Sequence, residues 1–258
     1  MLPTIQVFHK TIGMYGVMIA IGLIVGIAIM VQRSKRYSIQ TEDALFASFF
    51  GGIGLFIGAK VLYLLISMPE LARYYKVIVS HPTLLIPFMT GGFIFYGGLL
   101  GALLGMYLYC HRYKINFLQM LDLTAPSIPI IHAFGRVGCF FAGCCYGIPY
   151  SGFGHVIFQH SVSATNGIAL FPTQLIESGI NLVVGLFLLW YSRILRKPGR
   201  IIGIYITYYS ILRYVMEFFR GDVDRGFFFH LSTSQWISLF LLPVGIWLCF
   251  SRKVKKQL

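Results

Sequence analysis

Charge is scarce in this chain. Of its 258 residues 8 are Asp or Glu, and charged residues of both signs make up 11%. A soluble domain carries about 25%, so a sizeable water-soluble domain is excluded. Apolar residues make up 57%, with a mean hydropathy of +0.76. The class that fits is an integral membrane protein, read as a single multi-pass membrane domain over residues 1–258. Cysteine is sparse and odd in number: five, which gives no disulfide framework. The N-terminus has neither a Lys/Arg-rich start nor a small-residue cleavage site, so no removable signal peptide is expected. Acids are far outnumbered by the 21 Lys and Arg, which leave a net charge of +13. Nucleic acid is one reading of such a charge. Here the bases fall in short clusters between apolar spans, as the positive-inside rule produces, and no nucleic-acid partner is expected.

Apolar runs of roughly 17 to 25 residues are membrane-helix candidates. Seven are read: 13–31, 44–66, 92–110, 117–145, 174–192, 201–219 and 235–250. The fourth is too long for one span and carries Pro126 and Pro129, so a break is predicted, with its later part reaching the membrane surface. Residues 146–171 form the longest loop, polar and Gly-rich, expected on the extracytoplasmic side. Basic clusters follow spans one, three, five and seven: Arg33/Lys35/Arg36, Arg112/Lys114, Arg193/Arg196/Lys197/Arg200 and Arg252/Lys253/Lys255/Lys256. The opposite side holds fewer: Lys10, Arg73, Lys76, Arg220 and Arg225. That asymmetry puts the N-terminus outside and the C-terminus in the cytoplasm. In this orientation Tyr15, Lys60, Tyr63, Tyr96, Arg136, Gln174, Glu177, Arg213, Glu217 and Arg220 all fall toward the outer end of their spans.

The stretch His132–Gly147, HAFGRVGCFFAGCCYG, is the focus of that layer. An Arg at the centre of a membrane helix costs about 2.5 to 3.5 kcal/mol, so Arg136 needs compensation. An anionic lipid headgroup is one source. A packed helix end whose Arg snorkels to the interface is the plainer alternative. Gly135, Gly138, Gly143 and Gly147 remove side chains around the Arg and permit close approach. Arg213, Glu217 and Arg220 are spaced i, i+4, i+7 and share one helix face, as do Gln174, Glu177 and Asn181. These groups read either as a structural network or as an anion site. Four bases (Lys60, Arg136, Arg213, Arg220) against two acids (Glu177, Glu217) leave an excess of positive charge. Arg grips phosphate with paired donors. Tyr96 stands between the pairs Gly91-Gly92 and Gly97-Gly98, as an interfacial anchor or a hydroxyl that orients a headgroup. Cys139, Cys144 and Cys145 read as small buried hydrophobes; zinc would need a better ligand set, and no metal or cofactor is expected. His132 reads as a packed residue, and His155 and His160 as solvated.

Together these residues resemble the bacterial prolipoprotein diacylglyceryl transferases, over most of the chain. Gly135-Arg136-Val137-Gly138-Cys139-Phe140 is similar to that family's G-R-x-G-N-F signature. Phe171-Pro172-Thr173-Gln174-Leu175-Ile176-Glu177 is similar to its H-P-[ST]-Q-L-Y-E segment, and Arg213-x3-Glu217-Phe218-Phe219-Arg220 to its R-x3-E-F-F-R. Gly58-Ala59-Lys60 and Gly91-Gly92-x3-Tyr96-Gly97-Gly98 resemble its G-x-R and G-G-x3-H-G-G elements. The chain departs from the pattern at Cys139 for Asn, Ala142 for Asn, Cys144 for Glu, Tyr96 for His, Lys60 for Arg and Phe171 for His. These departures mark a divergent branch.

The resemblance implies an all-α enzyme of about seven spans in the bacterial cytoplasmic (inner) membrane, its active-site layer toward the outer leaflet. It implies transfer of the diacylglyceryl group of phosphatidylglycerol to the lipobox cysteine of a prolipoprotein signal peptide, releasing glycerol phosphate. Arg136, Arg213, Tyr96 and Glu217 are the expected catalytic residues. Tyr15, Lys60, Gly97, Gly98, Gly138, Cys139, Gly147, Gln174, Glu177 and Arg220 are expected to line the substrate. Two other readings of the same residues are a membrane thiol-redox protein using the cysteine cluster and a transporter of anionic lipid without chemistry.

Overall fold

The structure is a computed structural model that describes residues 3–7, 10–81, 83, 86–222 and 226–250. Of the expected basic clusters, Arg225 and the C-terminal Arg252, Lys253, Lys255 and Lys256 lie outside the described residues. The chain is mostly helical and folds as two compact units, residues 1–37 with 121–258, and residues 38–120.

The first unit opens with a hairpin, β1 (Thr4–Val7) and β2 (Lys10–Gly13), and helix α1 (Met14–Ser34). The second unit holds α2 (Thr41–Arg73), the short α3 (Tyr75–Ser80) and α4 (Ile86–Thr90), and α5 (Phe95–Arg112). Helix α6 (Phe117–Thr124) carries the chain back into the first unit. There follow α7 (Ser127–Ala142), the two-residue strands β3 (Val156–Ile157) and β4 (Ala169–Leu170), α8 (Thr173–Tyr191) and α9 (Arg200–Met216). A 3-10 turn at Glu217–Phe219, the hairpin β5 (Phe227–Phe228) and β6 (Leu231–Ser232), and α10 (Thr233–Phe250) complete the unit. Each apolar run of the sequence falls on a helix, and the fourth falls on two, α6 and α7. Among the described residues, four helical stretches are long and apolar enough to cross a membrane: Met14–Tyr37, Thr41–Arg73, Thr173–Tyr191 and Thr233–Phe250.

The break in the fourth run lies at residues 125–126. Proline disfavours helical backbone in the residue before it, and Pro126 is the N-cap of α7. Pro129 causes no second break. It sits in the first turn of α7, where a backbone N–H has no partner within the helix and its loss is tolerated.

Small residues set the packing of the first unit. A Cβ on Gly22 would stand 2.9 Å from Phe134 Cβ, and one on Gly138 3.1 Å from Tyr15 Cα, so α1 and α7 meet at glycines. Ser127 Oγ donates to Gly26 O at 2.9 Å across the same pair. Between α7 and α8, Ser178 Oγ donates to Ala133 O at 3.0 Å. Gly203 and Gly245 play the same part between α9 and α10. The start of α9 is held by Asp122, which accepts from Gly199 N at 2.8 Å and Ile202 N at 2.9 Å. A carboxylate there satisfies orphan N–H groups and complements the helix dipole. Arg33, expected as a loop cation, is instead buried at 7% exposure. Its guanidinium donates to the Leu123 carbonyl and to Tyr37 Oη, the latter at 3.1 Å. This ties the end of α1 to α6.

The segment after α7 has a small core of its own. Phe158, Ala164 and Leu170 are buried there, with Phe140, Tyr146 and Val156 packed against them. The polar, Gly-rich loop of the sequence is therefore a folded cap over the end of α7.

In the second unit α2 and α5 cross through glycines. A Cβ on Gly54 or Gly58 would strike the carbonyl oxygen of Gly101 or Gly97, and one on Gly105 that of Phe50. Gly54-x3-Gly58 and Gly97-x3-Gly101-x3-Gly105 are small-xxx-small runs that let helix backbones touch. Large side chains face outward instead: Phe49, Phe56 and Leu100 are all more than 60% exposed.

Candidate active site

Arg136 lies on α7 and Glu177 on α8, and the close packing of these helices joins them in an ion pair. Their side chains are 11% and 4% exposed. Burying two charges is costly, and the geometry must repay it. Helix α8 also grips the turn after α7 with its first residues. Gln174 Nε2 donates to Cys144 O at 2.9 Å, and Thr173 Oγ1 to Cys145 O at 3.1 Å. Asn181 Nδ2 donates to Glu177 O at 2.7 Å, and its Oδ1 is buried without a hydrogen-bond partner.

The second arginine is held by its own helix. Arg213 Nη2 lies 2.8 Å from Glu217 Oε2, at i,i+4, and donates to Ser234 Oγ at 2.9 Å. Its other terminal nitrogen, Nη1, is buried without a hydrogen-bond partner. The hydroxyl of Tyr208, close enough to feel the charge of Glu177, is likewise buried and unpartnered.

The third arginine is fixed through its backbone. Arg220 pairs with Gly147 as an antiparallel bridge, and Gly221 N donates to Tyr146 O at 3.0 Å. Gly147 has no room for a side chain, since a Cβ would stand 2.8 Å from Phe171 Cβ. The Arg220 guanidinium makes a forked pair with Asp222, Nε to Oδ1 at 3.0 Å and Nη2 to Oδ2 at 2.5 Å.

Arg136 and Arg220 are near enough to act on each other electrostatically, and both act on the Cys145 thiol. Tyr15, which packs against Gly138, lies in the field of Arg136, Cys139, Cys144 and Cys145. His132 lies in the field of Arg136 and Arg213, its ring tilted against Tyr209 at 5.6 Å. The first unit therefore brings together Tyr15, Arg136, Gly138, Cys139, Gly147, Gln174, Glu177 and Arg220, with Arg213 and Glu217 reached through His132.

The excess of Lys60, Arg136, Arg213 and Arg220 over Glu177 and Glu217 is reduced by one further acid. Asp222 is the acid that the sequence reading passed over, and each of the three arginines has a carboxylate: Glu177, Glu217 or Asp222. The physical reason is local, since Arg220 is extended and Asp222, two residues on, falls on the same side of the chain. An anion would be gripped by guanidinium donors the carboxylates leave over, of which Arg offers five.

The remaining expected residues belong to the second unit. Lys60 Nζ donates to Phe88 O at 2.5 Å and Gly91 O at 2.6 Å, under the rings of Tyr63 and Phe93. Gly97 and Gly98 are buried in the α2–α5 crossing, where a Cβ on Gly97 would strike Gly58 O. The half-buried Tyr96 begins α5 with its ring edge-on to Phe95 at 5.7 Å.

A sequence model of the family described as prolipoprotein diacylglyceryl transferase matches residues 3–251. The chain belongs to that family. Among curated members of the prolipoprotein diacylglyceryl transferase family, a phosphatidylglycerol–prolipoprotein diacylglyceryl transferase of Clostridium tetani is 37% identical over 252 residues, covering 98% of each chain. A second from Clostridium perfringens is 36% identical over 251 residues, covering 97% of this chain and 94% of that one. One from Legionella pneumophila (strain Paris) is 30% identical over 251 residues, covering 93% and 92%.

In this member of the transferase family, Asp222, Tyr208 and Ser234 join the site without having been singled out in the sequence. For Asp222 the signal was available, an acid two residues after a matched arginine. Tyr208 is one tyrosine among several on α9, and only the tertiary packing sets it beside Glu177.

Proposed function

We propose that this chain transfers the diacylglyceryl group of phosphatidylglycerol to the cysteine thiol of a prolipoprotein lipobox, forming a thioether and releasing glycerol phosphate. Membership of the family supports the reaction. The observation that carries the site is the cluster of buried arginines, each oriented by a carboxylate, with donor atoms at Arg213 Nη1 and Tyr208 Oη unpartnered.

The nucleophile is the thiolate of the incoming cysteine. It attacks the glycerol carbon bonded to phosphate. The carbon–sulfur bond forms, the carbon–oxygen bond breaks, and the electron pair leaves on the phosphate oxygen. Negative charge grows on that phosphate. Arg136 and Arg213 stabilise it with fixed donors in a low-dielectric site, and such a donor is worth about 10² to 10³ in rate. Glu177 and Glu217 hold the two guanidinium planes, so little reorganisation is needed when charge develops. Gln174 and Thr173 fix the turn at Cys144 and Cys145 beside them.

Within the reading, the chain is one multi-pass membrane domain of seven spans in the bacterial cytoplasmic membrane, N-terminus outside, with the arginines toward the outer leaflet. The basic asymmetry of the loops supports this. Reporter fusions after residues 112 and 160 test it, with cytoplasm and exterior as the expected results. The reaction itself is tested with purified protein, labelled phosphatidylglycerol and a lipobox peptide. Labelled thioether product is expected, and lipid that is bound or moved without product formation would overturn the proposal.

A further inference from the structure

The proposed reaction needs a thiolate, and three thiols stand beside Arg136. Cys139 is on the last turn of α7, and Cys144 and Cys145 follow its C-cap, Gly143. Their sulfurs all lie within 4.8 Å of one another, the one such group of ligand-forming side chains among the described residues. The backbone is bent to bring this about. Gly143 and Cys145 are both left-handed, with φ of +69° and +55°, and a non-glycine residue there is uncommon. Cys144 N donates to Cys139 O at 3.1 Å, closing the turn. From the other side Gln174 and Thr173 hold the carbonyls of Cys144 and Cys145. Cys139 is buried and the other two are half-buried, so the cluster is open on one side.

Zinc–sulfur bonds of about 2.3 Å in a tetrahedron put sulfurs about 3.8 Å apart. The present spacing, within 4.8 Å, exceeds that one by about 1 Å at most. Three protein ligands with a fourth position open is the arrangement of catalytic rather than structural zinc. Three thiolates around one zinc ion carry a net negative charge, and the Arg136 and Arg220 guanidiniums that act on Cys145 are placed to balance it.

We propose that Cys139, Cys144 and Cys145 bind one zinc ion whose open position takes the thiol of the incoming peptide cysteine. The inference rests on the transfer reading and names how its nucleophile is made. The three protein thiols give their protons to solvent when the ion binds. The peptide thiol does the same, because a coordinating thiol is deprotonated by the metal. The bound sulfur then forms its bond to the glycerol carbon as that carbon's bond to phosphate oxygen breaks, and the electron pair leaves with glycerol phosphate. Zinc keeps its charge throughout, and no oxidant or reductant takes part. Cys139 and Cys144 stand where the resembled signature carries Asn and Glu, so this chemistry belongs to the divergent branch.

The test uses the full chain purified in detergent without chelator. Elemental analysis is expected to find one zinc per chain, lost in Cys139→Asn, Cys144→Ala and Cys145→Ala and kept in Cys110→Ala and Cys249→Ala. Cys139→Asn installs the signature residue and guards against simple misfolding. Cobalt replacing zinc should show a thiolate charge-transfer absorption that grows when a lipobox peptide is added, and not when its cysteine is serine. Active protein without zinc, indifferent to chelator, would overturn the inference and leave the transfer reading intact. Bound metal whose cobalt spectrum ignores the peptide would overturn the open position. Zinc held by these cysteines in a protein that makes no thioether would instead sink the transfer reading.

Discussion

Glu217 takes one terminal nitrogen of Arg213, at 2.8 Å, and leaves the other buried without a hydrogen-bond partner. A guanidinium held in this way is oriented and still has a donor to give. Arg213→Ala is therefore expected to lower transfer by about 10² to 10³, and Arg213→Lys by nearly as much, because a point-like ammonium cannot serve carboxylate and phosphate together. Glu217→Gln should retain more activity than either, since the amide oxygen can still accept. Initial rates on labelled phosphatidylglycerol check the order, and near-normal Arg213→Ala would remove this residue from the site.

Arg136 and Glu177 give a different expectation because the pair is buried on both sides. Removing one partner leaves an uncompensated charge, at a cost of about 3 to 5 kcal/mol. Arg136→Ala should abolish transfer and lower the unfolding temperature in detergent. Adding Glu177→Gln to it should restore much of the stability and none of the activity. A double variant as unstable as the single one would show that the pair is not the source of the loss.

Gly147→Ala is expected to be damaging, because the new Cβ would press on Phe171 where that segment and Arg220 flank residue 147. Gly179→Ala is the control on α8, where a Cβ meets nothing within 4 Å. That change should be neutral or stabilise by about 0.4 to 1 kcal/mol. Thermal unfolding of both, with transfer rates alongside, separates the two outcomes.

Asp122→Ala should cost about 1 to 2 kcal/mol by uncapping α9, and Asp122→Asn less. Asp122 holds the start of α9 and Arg213 lies in the last turn of that helix, so turnover below the unfolding temperature should be kept. A lost turnover in well-folded Asp122→Asn would mean that it does more than hold a helix.

Tyr96→Phe should reduce turnover while leaving the shape of the pH–rate profile unchanged, as expected of a hydroxyl that orients lipid. Tyr96→His should be active, since the resembled element carries His at this position. A Tyr96→Phe protein that binds lipid and is inactive at every pH would make the hydroxyl a proton-transfer group.

What could be read in the sequence follows from how local each interaction is. Arg213 and Glu217 are one helical turn apart, so their pairing was visible in the spacing. The break at Pro126 was visible because proline acts on its immediate neighbour. Arg136 with Glu177 needed two motifs and the packing of α7 on α8 before either partner could be named. Lys60 reads in the sequence as a base that lines the substrate, and its bonds to Phe88 O and Gly91 O are not legible there, because backbone carbonyls of another segment are silent in a sequence. The three thiols read in the sequence as small buried hydrophobes or as a redox cluster, and their spacing alone does not show that all three sulfurs meet, which the left-handed turn at Gly143 and Cys145 brings about. The glycine runs of α2 and α5 are legible by their four-residue period, whereas the resemblance assigns Gly97, a member of one run, to the substrate.

Those glycine runs turn the second unit inside out relative to a protein that folds in water. Its crossing is made by bare backbone, and its bulk faces outward at Phe49, Phe56 and Leu100. Apolar burial between the two helices contributes little to holding them together, because hydrocarbon chains solvate those side chains as well as a partner helix would. Urea acts chiefly on surfaces newly exposed to water, so it has little to act on here. The surrounding lipid or detergent is the solvent that sets the strength of this pair. A headgroup or chain length that wets the outer phenylalanines poorly should loosen α2 from α5 at temperatures where aqueous denaturant leaves them joined.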